Sequence, residues 1–195
     1  CVLVNSYSDK LPSVLSDNRK GAYLAGRYLI EHGHKTVALL AGVRSYLSNQ
    51  ERTAGFLQAF QEEGLSIPPE LILETGSWLY DAAEKVCLNF FNTYTGEMPT
   101  ALFAFNDRLA TGAINAICKT GRTVPDDVSV IGYDNLGYYN IISPRITTVE
   151  THIEAISEST VMHMIWQLNN GSCLPVKVLT PVEVISGETV RSLLC

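Results

Sequence analysis

Residues Asp126 to Thr148 read DDVSVIGYDNLGYYNIISPRITT. An apolar run, Val128 to Ile131, breaks off into Gly132-Tyr133-Asp134-Asn135. A strand with this ending sets a carboxylate and an amide at its C-terminal mouth, and in parallel α/β sheets that mouth is where small ligands bind. The elements on either side decide whether this strand end is a site or only a turn.

Two other apolar runs have the same grammar. Lys35–Leu40 ends at Ala41-Gly42 and a polar loop, Val43–Ser48; Ala101–Phe105 ends in Asn106-Asp107. A shorter strand, Leu71–Leu73, leads to Thr75-Gly76-Ser77-Trp78. Helical patterns lie between them. Asp17-Asn18 caps one that reaches about His32, with Ala22, Ala25 and Leu29 on one face and Gly33 behind it. Others span Asn49–Glu63, with Phe56, Leu57 and Phe60 inward, Tyr80–Asn92 and Arg108–Thr120. Fully apolar strands alternating with helices predict an α/β fold, a parallel sheet flanked by helices on both faces. Right-handed crossovers put every strand C-terminus on one edge. Ser45, Ser48, Trp78, Asn106, Asp107, Asp134 and Asn135 are therefore expected to converge on one crevice.

The ends of the chain read differently. Cys1–Asn5 is a short strand, and Val14–Leu15 is too short to assign. Thr151–Asn170 is one long helix with a rough stripe of Ile153, Ile156, Val161, Ile165 and Leu168, and Val176–Val178 and Val182–Ile185 are two late strands.

Composition bounds the function. With 46% apolar and 17% charged residues the chain is an ordinary packed protein. No apolar run approaches the ~20 residues of a membrane span, and the start, CVLVNSYSDK, lacks a signal peptide's basic and apolar regions. A net charge of -6 argues against DNA binding by this segment. The five cysteines are scattered without a CxxC pair, so reduced thiols in a cytoplasmic protein are expected and no metal site is implied. The first residue is not Met, so the chain reads as a piece of a longer one.

Each candidate side chain has a plain reading beside the functional one. Arg52, early in its helix, offers a planar fork of donors for hydroxyls, a carboxylate or a purine edge, or is an exposed helix arginine. Asp134 has two acceptor oxygens for vicinal hydroxyls or a ring N–H, or closes an Asx turn. Asn106 and Asp107 can each cap the following helix; Asn106 is assigned to ligand and Asp107 mainly to the cap and to support behind the site. Trp78 stacks on a ring or packs locally. Tyr138-Tyr139 line the cleft or lie on the surface. The histidines show no metal pattern, and His32 and His34 sit where a helix C-terminus favours a cation.

Several segments resemble the lactose/galactose-repressor (LacI/GalR) family: Ser16-Asp17-Asn18, Gly26–Gly42 (GRYLIEHGHKTVALLAG), Glu51-Arg52 with Gly55-Phe56, Pro99-Thr100-Ala101 with Asn106-Asp107, Val124–Asn135 (VPDDVSVIGYDN) and Ile146-Thr147-Thr148-Val149. They occur in family order across Ser16–Val149. The resemblance implies a two-lobed, periplasmic-binding-protein-like I fold with one lobe nearly complete and the other truncated. Its division would be 1–13 remnant of the N-terminal lobe and crossover, 14–149 C-terminal effector-binding lobe, 150–171 helix returning to the N-terminal lobe, and 172–195 late strands of the C-terminal lobe. It assigns effector contacts to Arg52, Asp134 and Asn106, stacking to Trp78 and a hydroxyl contact to Ser48. It implies a ligand-sensing repressor domain for a sugar or purine-like effector, with no cofactor. Operator DNA would be bound through an N-terminal helix-turn-helix absent from this chain, in a cytoplasmic homodimer away from any membrane. The rivals are an extracytoplasmic sugar-binding protein of a transport system and an enzyme of flavodoxin-like or Rossmann type. The enzyme reading lacks a GxGxxG, P-loop or GxSxG motif.

Overall fold

A computed structural model describes residues 1–137, 143–171 and 173–194. Tyr138 and Tyr139 lie outside the described residues. In chain order the first elements are β1 (Leu3–Val4), β2 (Ser13–Ser16), α1 (Asn18–Glu31), β3 (Val37–Ala41) and α2 (Leu47–Glu62). Then come β4 (Ile72–Glu74), α3 (Tyr80–Thr93), β5 (Ala101–Ala104), α4 (Asp107–Lys119) and β6 (Ser129–Asp134). The last are β7 (Thr147–Glu150), α5 (Ile153–Asn170), β8 (Lys177–Thr180) and β9 (Glu183–Ile185).

The main sheet has the order β4-β3-β5-β6-β7-β9, with only β9 antiparallel. Its central strands are buried along their length, as continuous apolar runs require. Side chains alternate across the pleat. Tyr133 therefore points toward α1 and α2, lying beside Gly21 and Arg52, while Gly132 faces Asp107 and Ala110 of α4. On the α2 face Phe56 stacks on Phe60 at 4.9 Å and on Phe103 at 4.8 Å. Fully burying a side chain of this size is worth roughly 1.5–3 kcal/mol, so this stack anchors α2 to the sheet.

A second, all-parallel sheet has the order β1-β2-β8. This departs from the expected division. Val14–Leu15, unassigned from sequence, forms a fully buried strand between β1 and β8. The first late strand pairs with it (Ser13↔Lys177 to Ser16↔Thr180), so β8 belongs to the small sheet and only β9 returns to the large one. The physical cause is backbone pairing: a strand of four residues has too few side chains to signal itself, but its amides still require partners. The chain thus passes between the sheets after β2, before α5 and after β8. Asp17 N–H donates to Thr180 C=O at 3.2 Å, tying two of these passages together.

β7 (Thr147–Glu150) is a strand without an apolar run to announce it. One further expectation is corrected. The α5 stripe is not a core face in this chain: Ile156 is buried, whereas Ile153, Val161, Ile165 and Leu168 are exposed.

Candidate ligand-binding cleft

Six of the residues around one cavity come from strand ends of the large sheet or the helices that follow. The cavity, of about 280 Å³, is lined by Asn5, Asn18, Tyr46, Ser48, Arg52, Trp78, Asn106 and Asp134. The five residues assigned to effector contact, Arg52, Asp134, Asn106, Trp78 and Ser48, are all among them. Tyr46 and Ser48 follow β3, Trp78 follows β4, Asn106 follows β5, and Asp134 ends β6. Asn5 and Asn18 bring in the ends of β1 and β2, so the cavity lies between the mouths of the two sheets.

Arg52 is the centre of this arrangement and is 7% exposed. Its Nε donates to Asn18 Oδ1 at 2.9 Å, Nη1 to the Phe105 carbonyl, and Nη2 to Asp134 Oδ1 at 3.2 Å. The guanidinium lies over the Tyr133 ring, 3.6 Å from its centroid. The exposed-arginine reading is thereby removed: a buried guanidinium needs its donors satisfied, and here three fixed oxygens hold the plane of the fork.

Asp134 occupies a left-handed backbone conformation (φ 102°), as does Asn135 (φ 51°). Both are unusual for residues with side chains. Withdrawal from water raises the Asp134 carboxyl above its ordinary value, while Arg52, and more weakly Arg108, pull it down. Its side chain remains 27% exposed, facing the cavity.

Asn106 and Asp107 exchange part of the roles expected of them. Asn106 is the N-cap of α4, its Oδ1 accepting from Leu109 N–H at 2.7 Å, and its Nδ2 donates to the Trp78 carbonyl at 3.4 Å. Asp107 is not the cap. Its carboxyl accepts from the Thr148 hydroxyl of β7 at 2.6 Å. Burial pushes it up to about 7. The cause is geometric: an N-cap side chain precedes the first helical residue, and α4 begins at Asp107 rather than Arg108.

Trp78 packs its indole against Gly42, where a Cβ would come within 2.5 Å of Trp78 Cε3. Tyr46 stands 6.0 Å from it, ring to ring. Asn5, Asn18 and Tyr46 were missed as lining residues. Asn18 carried the same signal as the others, a polar residue just past an apolar strand, but its strand was too short to assign.

His34 lies away from the cleft and corrects another expectation. It is fully buried, with Nδ1 2.9 Å from Thr100 Oγ1 and Nε2 3.0 Å from the Arg191 carbonyl. Desolvation lowers its pKa, so it serves as a neutral hydrogen-bonding spacer and not as a cation at the helix end.

A sequence profile described as the periplasmic binding protein-like domain matches residues 27–190. The chain belongs to this family, in its LacI/GalR branch. The probable HTH-type transcriptional repressor ExuR of Bacillus subtilis is 31% identical over 189 residues, covering 94% of this chain and 54% of the relative. The HTH-type transcriptional repressor PurR of Vibrio parahaemolyticus is 41% identical over 142 residues, covering 73% and 42%. The chain thus spans about half the length of the curated relatives it matches. A crystal structure of a transcriptional regulator from Bacillus cereus subsp. cytotoxis, described as LacI, superimposes with a TM-score of 0.89 at 25% identity, covering 98% of this chain and 68% of that one. Among the described residues no helix is long and apolar enough to cross a membrane.

Proposed function

We propose that this chain is the ligand-sensing core of a LacI/GalR-type transcriptional repressor, and that a small sugar or purine-like effector binds in the cleft around Arg52 and Asp134. The observation that carries the proposal is the convergence of a guanidinium, a carboxylate, an asparagine, a serine hydroxyl and an indole on one cavity. Paired donors and acceptors suit vicinal hydroxyls or ring nitrogens, and an aromatic face suits the apolar face of a sugar or the plane of a base. Kinship to HTH-type repressors supports the regulatory role.

In this reading the protein binds and does not catalyse. The effector's differential affinity for two arrangements of the two sheets sets operator affinity elsewhere in the protein. The repressor acts in the cytoplasm, and a two-fold homodimer presents paired DNA-binding heads to a two-fold operator. The lobe division proposed alongside places β1, β2, β8 and α5 on one side of the cleft and the six-stranded sheet on the other.

A thermal-shift panel of pentoses, hexoses, disaccharides, nucleosides and purine bases tests this. At least one member raises the unfolding temperature of the wild type and not of Asp134→Asn. A ligand that stabilises both proteins equally would move the site elsewhere.

A further inference from the structure

We propose that Glu51 is a positioning residue for Arg52: through Asn18 it joins the cleft guanidinium to Lys177 on the small sheet, so that the aim of the fork follows the placement of that sheet. The inference rests on the reading of Arg52 as a ligand contact. It gives that site a route by which binding is felt across the cleft.

Asn18 is 4% exposed and opens α1, where the chain leaves the small sheet for the large one. Both ends of its amide are used. Oδ1 accepts from Arg52 Nε at 2.9 Å, while Nδ2 donates to Glu51 Oε2 and to the Ser16 carbonyl, each at 3.3 Å. These partners fix which end is which. Turned over, the amide would set its NH2 against a guanidinium that has only donors, and its oxygen against a carboxylate and a carbonyl. Asn18 therefore cannot turn without losing its bonds on both sides.

Glu51 divides its carboxylate between the two sheets. Oε2 takes Asn18, and Oε1 lies 3.5 Å from Lys177 Nζ on β8. The Glu51 side chain is 22% exposed and that of Lys177 38%, so solvent and salt screen this pair less than a fully exposed one. Lys177 is held from the small-sheet side. Its backbone pairs with Ser13 of β2, and its ammonium stands 5.2 Å from the centre of the Tyr7 ring, between β1 and β2.

A continuous polar path thus runs from Asp134 at the end of β6, through Arg52, Asn18 and Glu51, to Lys177 on β8. Two of the three hydrogen bonds that aim the Arg52 fork run to the large sheet, at Phe105 and Asp134. The third, from Nε, leads to the small one. Energetic coupling travels through such chains of hydrogen-bonded groups. A shift of the small sheet that parts Lys177 from Glu51 releases Glu51 from its place beside Asn18 and loosens the Nε bond. By linkage, a ligand that turns the guanidinium weakens the hold on Lys177 by the same coupling energy.

Nuclear magnetic resonance on the whole protein tests this without any ligand, through the Arg52 Nε–H resonance. Lys177→Met keeps the stem and removes the ammonium. The Nε–H signal should shift, and its solvent exchange should quicken about 2- to 5-fold, the range that a partly exposed ion pair can supply. Lys177→Arg, which restores the charge, should return both toward the wild type. Glu51→Ala should act at least as strongly, and in its background Lys177→Met should add nothing. Lys119→Met, which breaks the pair with Glu84 between α4 and α3, should leave the signal in place. A signal that ignores both Lys177→Met and Glu51→Ala overturns the proposal, as does an equal displacement by Lys119→Met, additive effects of the two substitutions, or no rescue by Lys177→Arg. If Glu51→Ala fails to fold, the Lys177 series decides alone. Failure of the effector reading would instead appear as absent binding in the thermal-shift panel, with the Arg52 signal still following Lys177.

Discussion

Replacing Arg52 by alanine should cost stability as well as binding. The side chain donates to Asn18 Oδ1 and the Phe105 carbonyl and pairs with Asp134 at 3.2 Å, with its own exposure only 8%. Truncation leaves all three acceptors without their donor. Breaking a buried ion pair by removing one partner costs about 3–5 kcal/mol, because the remaining charge is uncompensated. Asp134 keeps 27% of its side-chain surface and can take up water or a proton, which argues for the lower end. Loss of the guanidinium stacked on Tyr133 offsets part of that relief. The expected loss is therefore about 3 kcal/mol, a large fraction of the 5–15 kcal/mol typical of a domain. Urea unfolding should show the midpoint falling with an unchanged m-value. A double-mutant cycle with Asp134→Ala should return a coupling of about 1–3 kcal/mol. A loss below about 1 kcal/mol with negligible coupling would show that the pair is solvated and that Arg52 is not held as described. For the same reason Asp134→Asn, which keeps the shape and an acceptor, is the cleaner probe of binding.

Other consequences follow from the same geometry. His34 is buried neutral, so the unfolded chain takes up a proton that the folded one refuses. Its contribution is complete above the ordinary value of 6.5 and fades as pH falls below it; the urea midpoint of wild type should drop relative to that of His34→Asn between about pH 7 and 5. Gly42→Ala places a Cβ 2.5 Å from the Trp78 ring. The half-buried indole should swing aside, shifting its fluorescence and weakening effector binding with little change in melting temperature. Asn106→Ala removes the α4 cap and should cost about 1 kcal/mol in urea unfolding, in addition to any loss of affinity.

Of the seven residues that the strand-end grammar sends to the crevice, Ser48, Trp78, Asn106 and Asp134 line the cavity, because parallel topology leaves little choice about where strand C-termini go. Ser45, Asp107 and Asn135 are not among its lining residues, and Arg52, on a helix, came from the resemblance. What escaped was set by partners far away in the chain. The segment Thr147–Glu150 is no apolar run, yet Thr147 and Thr148 are buried in β7. Their hydroxyls are satisfied by Gly187 N–H and the Asp107 carboxyl, about forty positions away, and no local pattern announces such pairings. β2 escaped through brevity, and its loss hid Asn18. The neutral state of His34 follows from its burial, and the carbonyl that its Nε2 meets belongs to Arg191, 157 residues downstream. The roles of Asn106 and Asp107 turned on a single residue of helix start, the least legible feature of any element.

The most direct test of the central claim is chemical-shift mapping on the protein with whichever ligand the thermal-shift panel selects. The largest perturbations should fall on Ser48, Arg52, the Trp78 indole N–H, Asn106 and Asp134, and disappear in Asp134→Asn. Perturbations concentrated instead at the apolar groove of Pro12, Met162 and Trp166, with the strand-end residues unmoved, would contradict it.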